Sequence, residues 1–215
     1  MPLVKADIDT TTLPMNIASV DGAVPGGGAA TLPHFVEQLA SPTASERRAA
    51  VRVLEAHDDG CAPLCARIAD ETAPSVREAI MAALIRRRSP VVVAALLPLL
   101  RSEQPPVRNA ALEGLAAMPD DVAPHIEHLL RDPDSDVRIF TVNLLHVLPH
   151  PRAASWLMMA LADDHANVCA AAIDGLAEIG GADALAALAD VPGRFPGDSF
   201  IAFAVQVAAQ RIGQC

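Results

Sequence analysis

The chain has 215 residues and a formal net charge of −10 at pH 7, with 52% hydrophobic and only 3% aromatic residues. This length is enough for one large domain or two small ones with a buried core. The excess of acid, the single lysine and the few aromatic side chains suit nucleic-acid binding poorly, so no nucleic-acid partner is expected. Because Ala and Leu dominate the apolar residues, the composition predicts an all-α fold.

Residues 1–30 differ from the rest of the chain and are predicted to form an N-terminal arm or flexible tail. The segment carries Gly26-Gly27-Gly28, a run typical of a flexible joint. A second interpretation is an arm that lies on a partner or on the rest of the chain through its apolar side chains. These are Leu3, Val4, Ile8, Leu13, Met15 and Ile17.

The apolar segments and the cysteines predict a cytoplasmic protein with no membrane partner. The N-terminus is polar and lacks the apolar centre of a secretory signal. The apolar run Val91–Leu100 is too short to cross a bilayer and contains a proline. Four cysteines (Cys61, Cys65, Cys169 and Cys215) are too few for a disulfide framework, as expected in a reducing compartment.

From about residue 33 the sequence repeats with a period of 30 or 31 residues. A pair of residues recurs at Glu46-Arg47, Val76-Arg77, Val107-Arg108, Val137-Arg138 and Val168-Cys169. Small or apolar residues follow four and eight positions after the first member of each pair. They are Ala50, Ile80, Ala111, Thr141 and Ala172, then Leu54, Leu84, Leu115, Leu145 and Leu176. This i, i+4, i+8 spacing predicts one buried helix face in every repeat.

Each repeat is therefore interpreted as a hairpin of helix A, a tight turn and helix B, where helix B carries the buried face. Six hairpins are predicted near residues 33–60, 61–90, 91–121, 122–151, 152–181 and 182–215, within a domain that spans 31–215. The last helix is expected to begin at about Ser199 and to end at Gly213. Prolines are expected at element ends. Ser45, Ser75, Asp136 and Asn167 are the predicted N-caps of helix B, and Pro106 indicates a different start in the third repeat.

Arginines of helix B and acids of the A–B turns are predicted to form a structural ladder. Asp132 lies six residues before Arg138, and the same offset separates Glu71 from Arg77. A turn carboxylate can accept hydrogen bonds from such an arginine in its own repeat or the next, which would fix the spacing of the repeats. The turn ladder consists of Arg47, Glu71, Arg77, Arg108, Asp132, Arg138 and Asp163. Cys169 replaces the arginine of the fifth repeat, which predicts a missing contact there.

These features resemble the HEAT-repeat family, in particular short bacterial repeats of the phycobilisome-lyase-like type. The resemblance rests on the turn acids Glu71, Asp132 and Asp163, the Val-Arg pairs and the Ala/Leu spacing, and it covers residues 33–190 well and 191–215 loosely. It implies a right-handed α-solenoid of about six hairpins whose B helices line a concave face. Each repeat of such a solenoid contacts only its neighbours.

No metal, cofactor or catalytic site is predicted. His125 and His128 lie three residues apart, and His146 and His150 lie four apart, so convergence of histidines from neighbouring repeats stays open. One HEAT-repeat enzyme family, deoxyhypusine hydroxylase, binds two irons through His-Glu dipeptides, which this chain lacks. Nucleotide-binding loops and common hydrolase motifs are also missing from the sequence. The protein is therefore not expected to be an enzyme.

The predicted function is that of an interaction scaffold or adaptor that binds another protein or peptide on the concave face. The polar stripe of helix B side chains least needed for the core consists of Arg48, Arg52, Glu55, Glu78, Arg86, Asn109, Glu113, Asn143, His146, Asp174 and Glu178. It runs from basic to acidic, which can orient a partner. The resemblance implies an alternative, a lyase or chaperone-like protein that handles a prosthetic group. Binding of DNA lesions is a further alternative, and the oligomeric state stays open.

Overall fold

The computed structural model describes residues 31–214, so the predictions for the N-terminal arm lie outside the described residues. Within them the chain forms twelve α-helices and no strand, arranged as six consecutive hairpins. The helices are α1 (Leu32–Gln38), α2 (Ala44–Glu55), α3 (Cys61–Arg67), α4 (Pro74–Arg87), α5 (Pro90–Leu96), α6 (Pro105–Ala116), α7 (Pro119–Leu129), α8 (Ser135–Val147), α9 (Ala153–Ala160), α10 (Ala166–Ile179), α11 (Ala184–Arg194) and α12 (Ser199–Ile212). The predicted all-α solenoid of six hairpins is confirmed.

The B helices form one continuous layer along the solenoid. α2 packs on α4, α4 on α6, α6 on α8, α8 on α10 and α10 on α12. The A helices lie against this layer, and α5 also contacts α3 and α7. Because each helix contacts mainly its own hairpin and the adjacent ones, the fold grows by nearest-neighbour packing.

The core lies between the two layers and contains the repeated apolar face of helix B. All ten residues predicted for that face have 0% exposure, from Ala50 and Leu54 in α2 to Ala172 and Leu176 in α10. Thr141 is the one polar member, and its hydroxyl donates to the Val137 carbonyl at 2.7 Å, which satisfies it inside the helix. Truncation of one of these leucines to alanine costs about 2–5 kcal/mol in a typical core.

The predicted N-caps of helix B are wrong by two residues. α2 has its N-cap at Thr43 and α4 at Ala73, whereas Ser45 and Ser75 lie inside the first turn. The N-caps of α6, α8 and α10 are Gln104, Asp134 and His165. Of these five N-cap side chains only that of Asp134 caps its own helix. In all five repeats the side chain two positions earlier accepts the N–H of the N-cap residue itself.

Within residues 31–214 six prolines stand at the first or second position of an α-helix, as expected, but two lie beyond the first turn of a helix. Pro124 is in α7 and Pro192 is in α11. Pro124 has no N–H to donate to the carbonyl four residues earlier in the helix. Because Pro124 is exposed, water can bond that carbonyl instead. The last helix ends with Gly213 as its C-cap, as predicted. No helix among residues 31–214 combines the length and the apolar character that a membrane span requires.

Candidate functional site

Every A–B turn from the first to the fifth repeat contains the same pair of hydrogen bonds at one position. The residue there accepts the N–H two residues later with its side chain, at 3.0, 2.7, 3.2, 2.9 and 2.8 Å in successive repeats. Its carbonyl accepts from an arginine guanidinium at 2.8, 2.6, 2.8, 2.8 and 2.8 Å. The five turn residues are Ser41, Glu71, Ser102, Asp132 and Asp163. Side chain and carbonyl together fix the turn and the start of helix B.

Two ladder arginines also bind the carboxylate of the following turn. Arg47 donates from Nε and Nη2 to the Glu71 carboxylate at 2.9 and 2.8 Å, and Arg138 donates in the same way to Asp163 at 2.7 and 3.1 Å. Arg67 is a second arginine that donates to Glu71, from Nε and Nη2 at 3.2 and 3.1 Å, and the Glu71 side chain has 0% exposure. These contacts join the first repeat to the second and the fourth to the fifth.

The carboxylates of the turn ladder are held in their ionised form. Burial opposes ionisation of Glu71, but hydrogen bonds from Arg47, the Ala73 amide and Arg67 outweigh it and lower the pKa of Glu71 to about 2. Burial likewise opposes ionisation of Asp132 and Asp163, and hydrogen bonds from their arginine partners lower both pKa values below the ordinary range. All three groups therefore act as fixed negative charges at neutral pH.

Asp132 binds a different arginine from the one that the sequence suggests. Its carboxylate accepts from both terminal nitrogens of Arg101, with Nη1 to Oδ1 at 2.9 Å. Arg108 donates to the Ser102 carbonyl and places its guanidinium carbon 4.4 Å from the centre of the Phe140 ring. The repeat period did not reveal Arg101, because the corresponding residue of the next repeat, Arg131, is exposed and pairs with Glu127 of the preceding helix instead of with a turn acid.

Arg77 has no carboxylate partner among the described residues. Its Nη2 donates to the Glu71 carbonyl at 2.6 Å, and its buried Nε finds no acceptor there. The residue that corresponds to Glu71 in the next turn is Ser102, which offers a hydroxyl instead of a carboxylate. Within residues 31–214 the second junction, between the second and third repeats, therefore lacks the bidentate ion pair that joins the first repeat to the second and the fourth to the fifth.

The contact expected to be missing in the fifth repeat is supplied by Arg194. The Cys169 side chain is fully buried and donates to the Leu161 carbonyl at 3.4 Å. Arg194 reaches back from α11 to the carbonyls of Leu161, Ala162 and Asp163. The fifth turn is therefore closed by an arginine from the next repeat. Arg194 does not recur at the repeat spacing of 30 or 31 residues, so the sequence pattern did not predict this contact.

The polar stripe is largely exposed. Nine of its eleven residues are exposed, and Glu55 and His146 are half-buried. Arg86 and Glu55 form an ion pair with each other across α2 and α4. Within residues 31–214, no ion pair involves the basic residues Arg48 and Arg52 or the acidic members on α4, α6 and α10, namely Glu78, Glu113, Asp174 and Glu178.

His146 serves the packing of two B helices and is poorly placed to contact a partner. Its Nε2 lies 3.0 Å from the Ala171 carbonyl oxygen. It also covers Gly175, where an added Cβ would lie 2.5 Å from the same nitrogen. The absence of a side chain at position 175 lets α8 and α10 approach through the imidazole.

Two grooves bear on binding. A groove of about 370 Å³ between α4 and α6, the α4/α6 groove, lies beside the polar stripe. It is lined by Thr72, Pro74, Arg77, Glu78, Met81, Pro106, Asn109, Ala110 and Glu113. A larger space of about 580 Å³ lies at the fourth and fifth turns, where Asp132 and Asp163 are already paired with arginines. Neither groove is lined by an aromatic side chain.

The histidines and cysteines of residues 31–214 do not form a group of three possible metal ligands with one another or with acids. Cys61 and Cys65 share one face of α3 with their sulfurs 4.0 Å apart, and both are half-buried. Burial, with the Cys61 thiol as a smaller contribution, raises the pKa of Cys65 to about 12. Cys65 is therefore an unreactive thiol at neutral pH.

The sequence matches the family model for HEAT repeats over residues 32–118 and 122–193. No curated protein matches it. Similar solved structures include a computationally designed armadillo repeat protein for modular peptide recognition, at 20% identity over 84% of this chain and 99% of that chain with a TM-score of 0.40. They also include Cex1p, at 10% identity over 85% and 44% with a TM-score of 0.46, and the CpcE–CpcF complex of phycocyanin lyase from Nostoc sp. PCC7120, at 18% over 91% and 99% with a TM-score of 0.33. Because the matched segments make up more than half of the sequence, the chain belongs to the HEAT-repeat family.

Proposed function

We propose that the protein is a non-enzymatic scaffold that binds another protein or peptide along the B helices. The observation that carries the proposal is the set of exposed charges without ion-pair partners in residues 31–214. Arg48 and Arg52 lie on α2 at one end of the stripe, and Asp174 and Glu178 lie on α10 near the other. Charges that a folded chain leaves without partners are available to a partner molecule.

The arrangement favours one orientation of the partner. An acidic segment is attracted to the α2 end and repelled by the α10 end, and a basic segment has the opposite preference. Exposed charges of this kind change the association rate and its salt dependence more than they change the binding affinity. The proposed partner is therefore a segment with acidic residues toward one end and basic residues toward the other.

A charge-reversal variant tests this function. Arg52→Glu with Asp174→Lys cancels the net charge at each end of the stripe, because Arg48 and Glu178 remain, and leaves the net charge of the protein unchanged. The matched control, Arg211→Glu with Asp190→Lys, makes the same exchange at exposed positions outside the stripe. Proteins from the native cytosol that bind the wild type and the control, but not the stripe variant, are the expected result, with circular dichroism to check that all three are helical.

Equal recovery of partners by all three proteins would contradict binding on the stripe. Visible absorbance of the purified protein would favour the prosthetic-group alternative instead.

A further inference from the structure

The junctions between repeats are not equivalent, and the second differs from the first and the fourth in one carboxylate. At the first and fourth junctions a buried or half-buried arginine of helix B binds the acid of the following turn, as Arg47 binds Glu71 and Arg138 binds Asp163. At the second junction the arginine is Arg77, and Ser102 stands where the acid would be. As far as residues 31–214 show, the second junction therefore has the cation of this pair without the anion.

Arg77 is held as a buried cation. It is 9% exposed, and the only hydrogen bond that its side chain makes within residues 31–214 runs from Nη2 to the Glu71 carbonyl. A guanidinium keeps its charge at any pH at which proteins fold, so it cannot relieve burial by losing a proton. The carboxylate of Glu71 is already bound by Arg47 and Arg67. Arg77 thus retains hydrogen-bonding capacity that the described residues leave unused, including a buried Nε without an acceptor.

Arg77 lines the α4/α6 groove, which leads from the polar stripe to the second junction. Its volume of about 370 Å³ corresponds to about a dozen waters at ~30 Å³ each, enough for an amino-acid side chain with part of its backbone. Asn109 and Thr72 add neutral polar groups to the lining, and Glu78 and Glu113 add two carboxylates. An anion is thus attracted to Arg77 and is repelled by these two acids unless a cation accompanies it.

We propose that the α4/α6 groove binds an acidic side chain of a partner peptide, whose carboxylate pairs with Arg77 and completes the junction that Ser102 leaves open. Glu78 and Glu113 select basic residues next to that acid, so the recognised sequence is a Glu or Asp flanked by Lys or Arg. This inference rests on the proposed function, since it names what the bound protein or peptide inserts. The carboxylate takes the role that Glu71 and Asp163 play inside the chain.

The binding test uses the Nε–H resonance of Arg77, assigned by its loss in Arg77→Lys. The probes are acetyl-Lys-Glu-Lys-amide and acetyl-Lys-Gln-Lys-amide, which differ in one charge at the central side chain. The expected result is a saturable shift with the Glu peptide alone, while the Nε–H of Arg138, already paired with Asp163, does not move. Equal shifts with both peptides, or no shift with either, would overturn the proposal.

A third probe separates a side-chain carboxylate from a chain end. Acetyl-Lys-Gln-Lys with a free carboxyl terminus carries its only carboxylate at that end, so it is expected to leave the Arg77 resonance unmoved. A shift with this probe alone would overturn recognition of a side chain.

Ser102→Asp supplies the missing acid from within the chain. By the spacing of Arg138 and Asp163, the new carboxylate pairs with Arg77, so the variant is expected to melt at a higher temperature and to lose the response to the Glu peptide. Ser102→Asn is the matched control, because its amide still accepts from the Gln104 N–H but brings no charge. Retention of the peptide response in Ser102→Asp would contradict the proposal, as would its loss in Ser102→Asn.

The same variants separate this inference from the function on which it rests. A cytosolic partner that the stripe reversal loses and that Ser102→Asp also releases supports both. A partner lost only by the stripe reversal leaves the scaffold function intact and overturns the carboxylate site. If neither variant loses the partner, both proposals are wrong.

Discussion

Arg194 and Asp163 lie 31 residues apart in the chain, and Nη2 of Arg194 donates to the Asp163 carbonyl oxygen at 2.8 Å. In the first four repeats the same carbonyl position is bound by the arginine six residues later in its own repeat. The fifth repeat has Cys169 at that position, and its thiol donates to the Leu161 carbonyl rather than to that of Asp163. The contact is conserved in geometry although its donor comes from a different helix.

Arg194→Met is expected to destabilise the fold. The substitution keeps much of the aliphatic stem but leaves the carbonyls of residues 161–163 without their charged donor. Hydrogen bonds to charged groups contribute about 1.5–3 kcal/mol each, and partial exposure here places the total loss in the free energy of unfolding at about 1–2 kcal/mol. Urea unfolding measures it.

The control for Arg194→Met is Arg211→Met, because Arg211 is exposed and its side chain makes no hydrogen bond within residues 31–214. A change within about 0.5 kcal/mol is expected for this surface site. Equal stability of the two variants would show that water replaces Arg194 at the fifth turn without cost.

Glu71→Gln is expected to lower the free energy of unfolding at pH 7 by about 3 kcal/mol, as when one member of a buried ion pair is removed. The substitution keeps the shape of the side chain but leaves Arg47 without its anion. Glu103→Gln is the matched control, because Glu103 is exposed and has no ion pair within residues 31–214. A loss as small as that of the control would mean that Glu71 acts through its shape alone.

The stability supplied by Glu71 depends on pH with a defined sign. Its pKa is about 2 in the folded chain against an ordinary value of 4.5, so the unfolded chain binds the proton more readily. The contribution is complete above about pH 4.5 and is lost as the pH falls toward 2. The difference in unfolding free energy between wild type and Glu71→Gln should therefore shrink across this window, and a difference that stays constant from pH 7 to pH 2.5 would contradict it.

Gly175→Ala tests the close approach of α8 and α10. The new methyl group would lie 2.5 Å from Nε2 of His146 and 2.9 Å from Cδ1 of Leu157, so these side chains or one of the helices must shift. Overpacking of this kind costs about 1–3 kcal/mol. Gly193→Ala is the control, because an added Cβ there meets nothing within 4 Å.

The double variant Gly175→Ala, His146→Ala isolates the contact with the imidazole. Removal of the ring makes room for the new methyl group, so the combined loss is expected to be smaller than the sum of the two single losses. Additive losses, measured by chemical denaturation, would show that the strain lies elsewhere in the helix pair.

The core of this protein could be predicted from its sequence, but several of its polar contacts could not. The period of 30 or 31 residues, the six hairpins and the ten core positions follow from spacing alone, because burial of one helix face requires apolar residues every three or four positions. The predicted start of helix B is two residues too late. Ser45 and Ser75 are residue types that often serve as N-caps, but they lie inside the first turn of α2 and α4. Composition does not fix which of several polar residues meets a free N–H group.

The sequence by itself determined that this protein is an all-α HEAT-repeat solenoid and which residues fill its core, because those properties depend on local helix periodicity repeated along the chain. Only the tertiary structure decided that Arg101 holds Asp132, that Arg194 replaces the arginine absent at Cys169, and that Arg77 has no carboxylate partner within residues 31–214. Long, flexible guanidinium side chains can reach several acceptors at similar cost. Their choice therefore depends on the distances between helices that the packed core has already set.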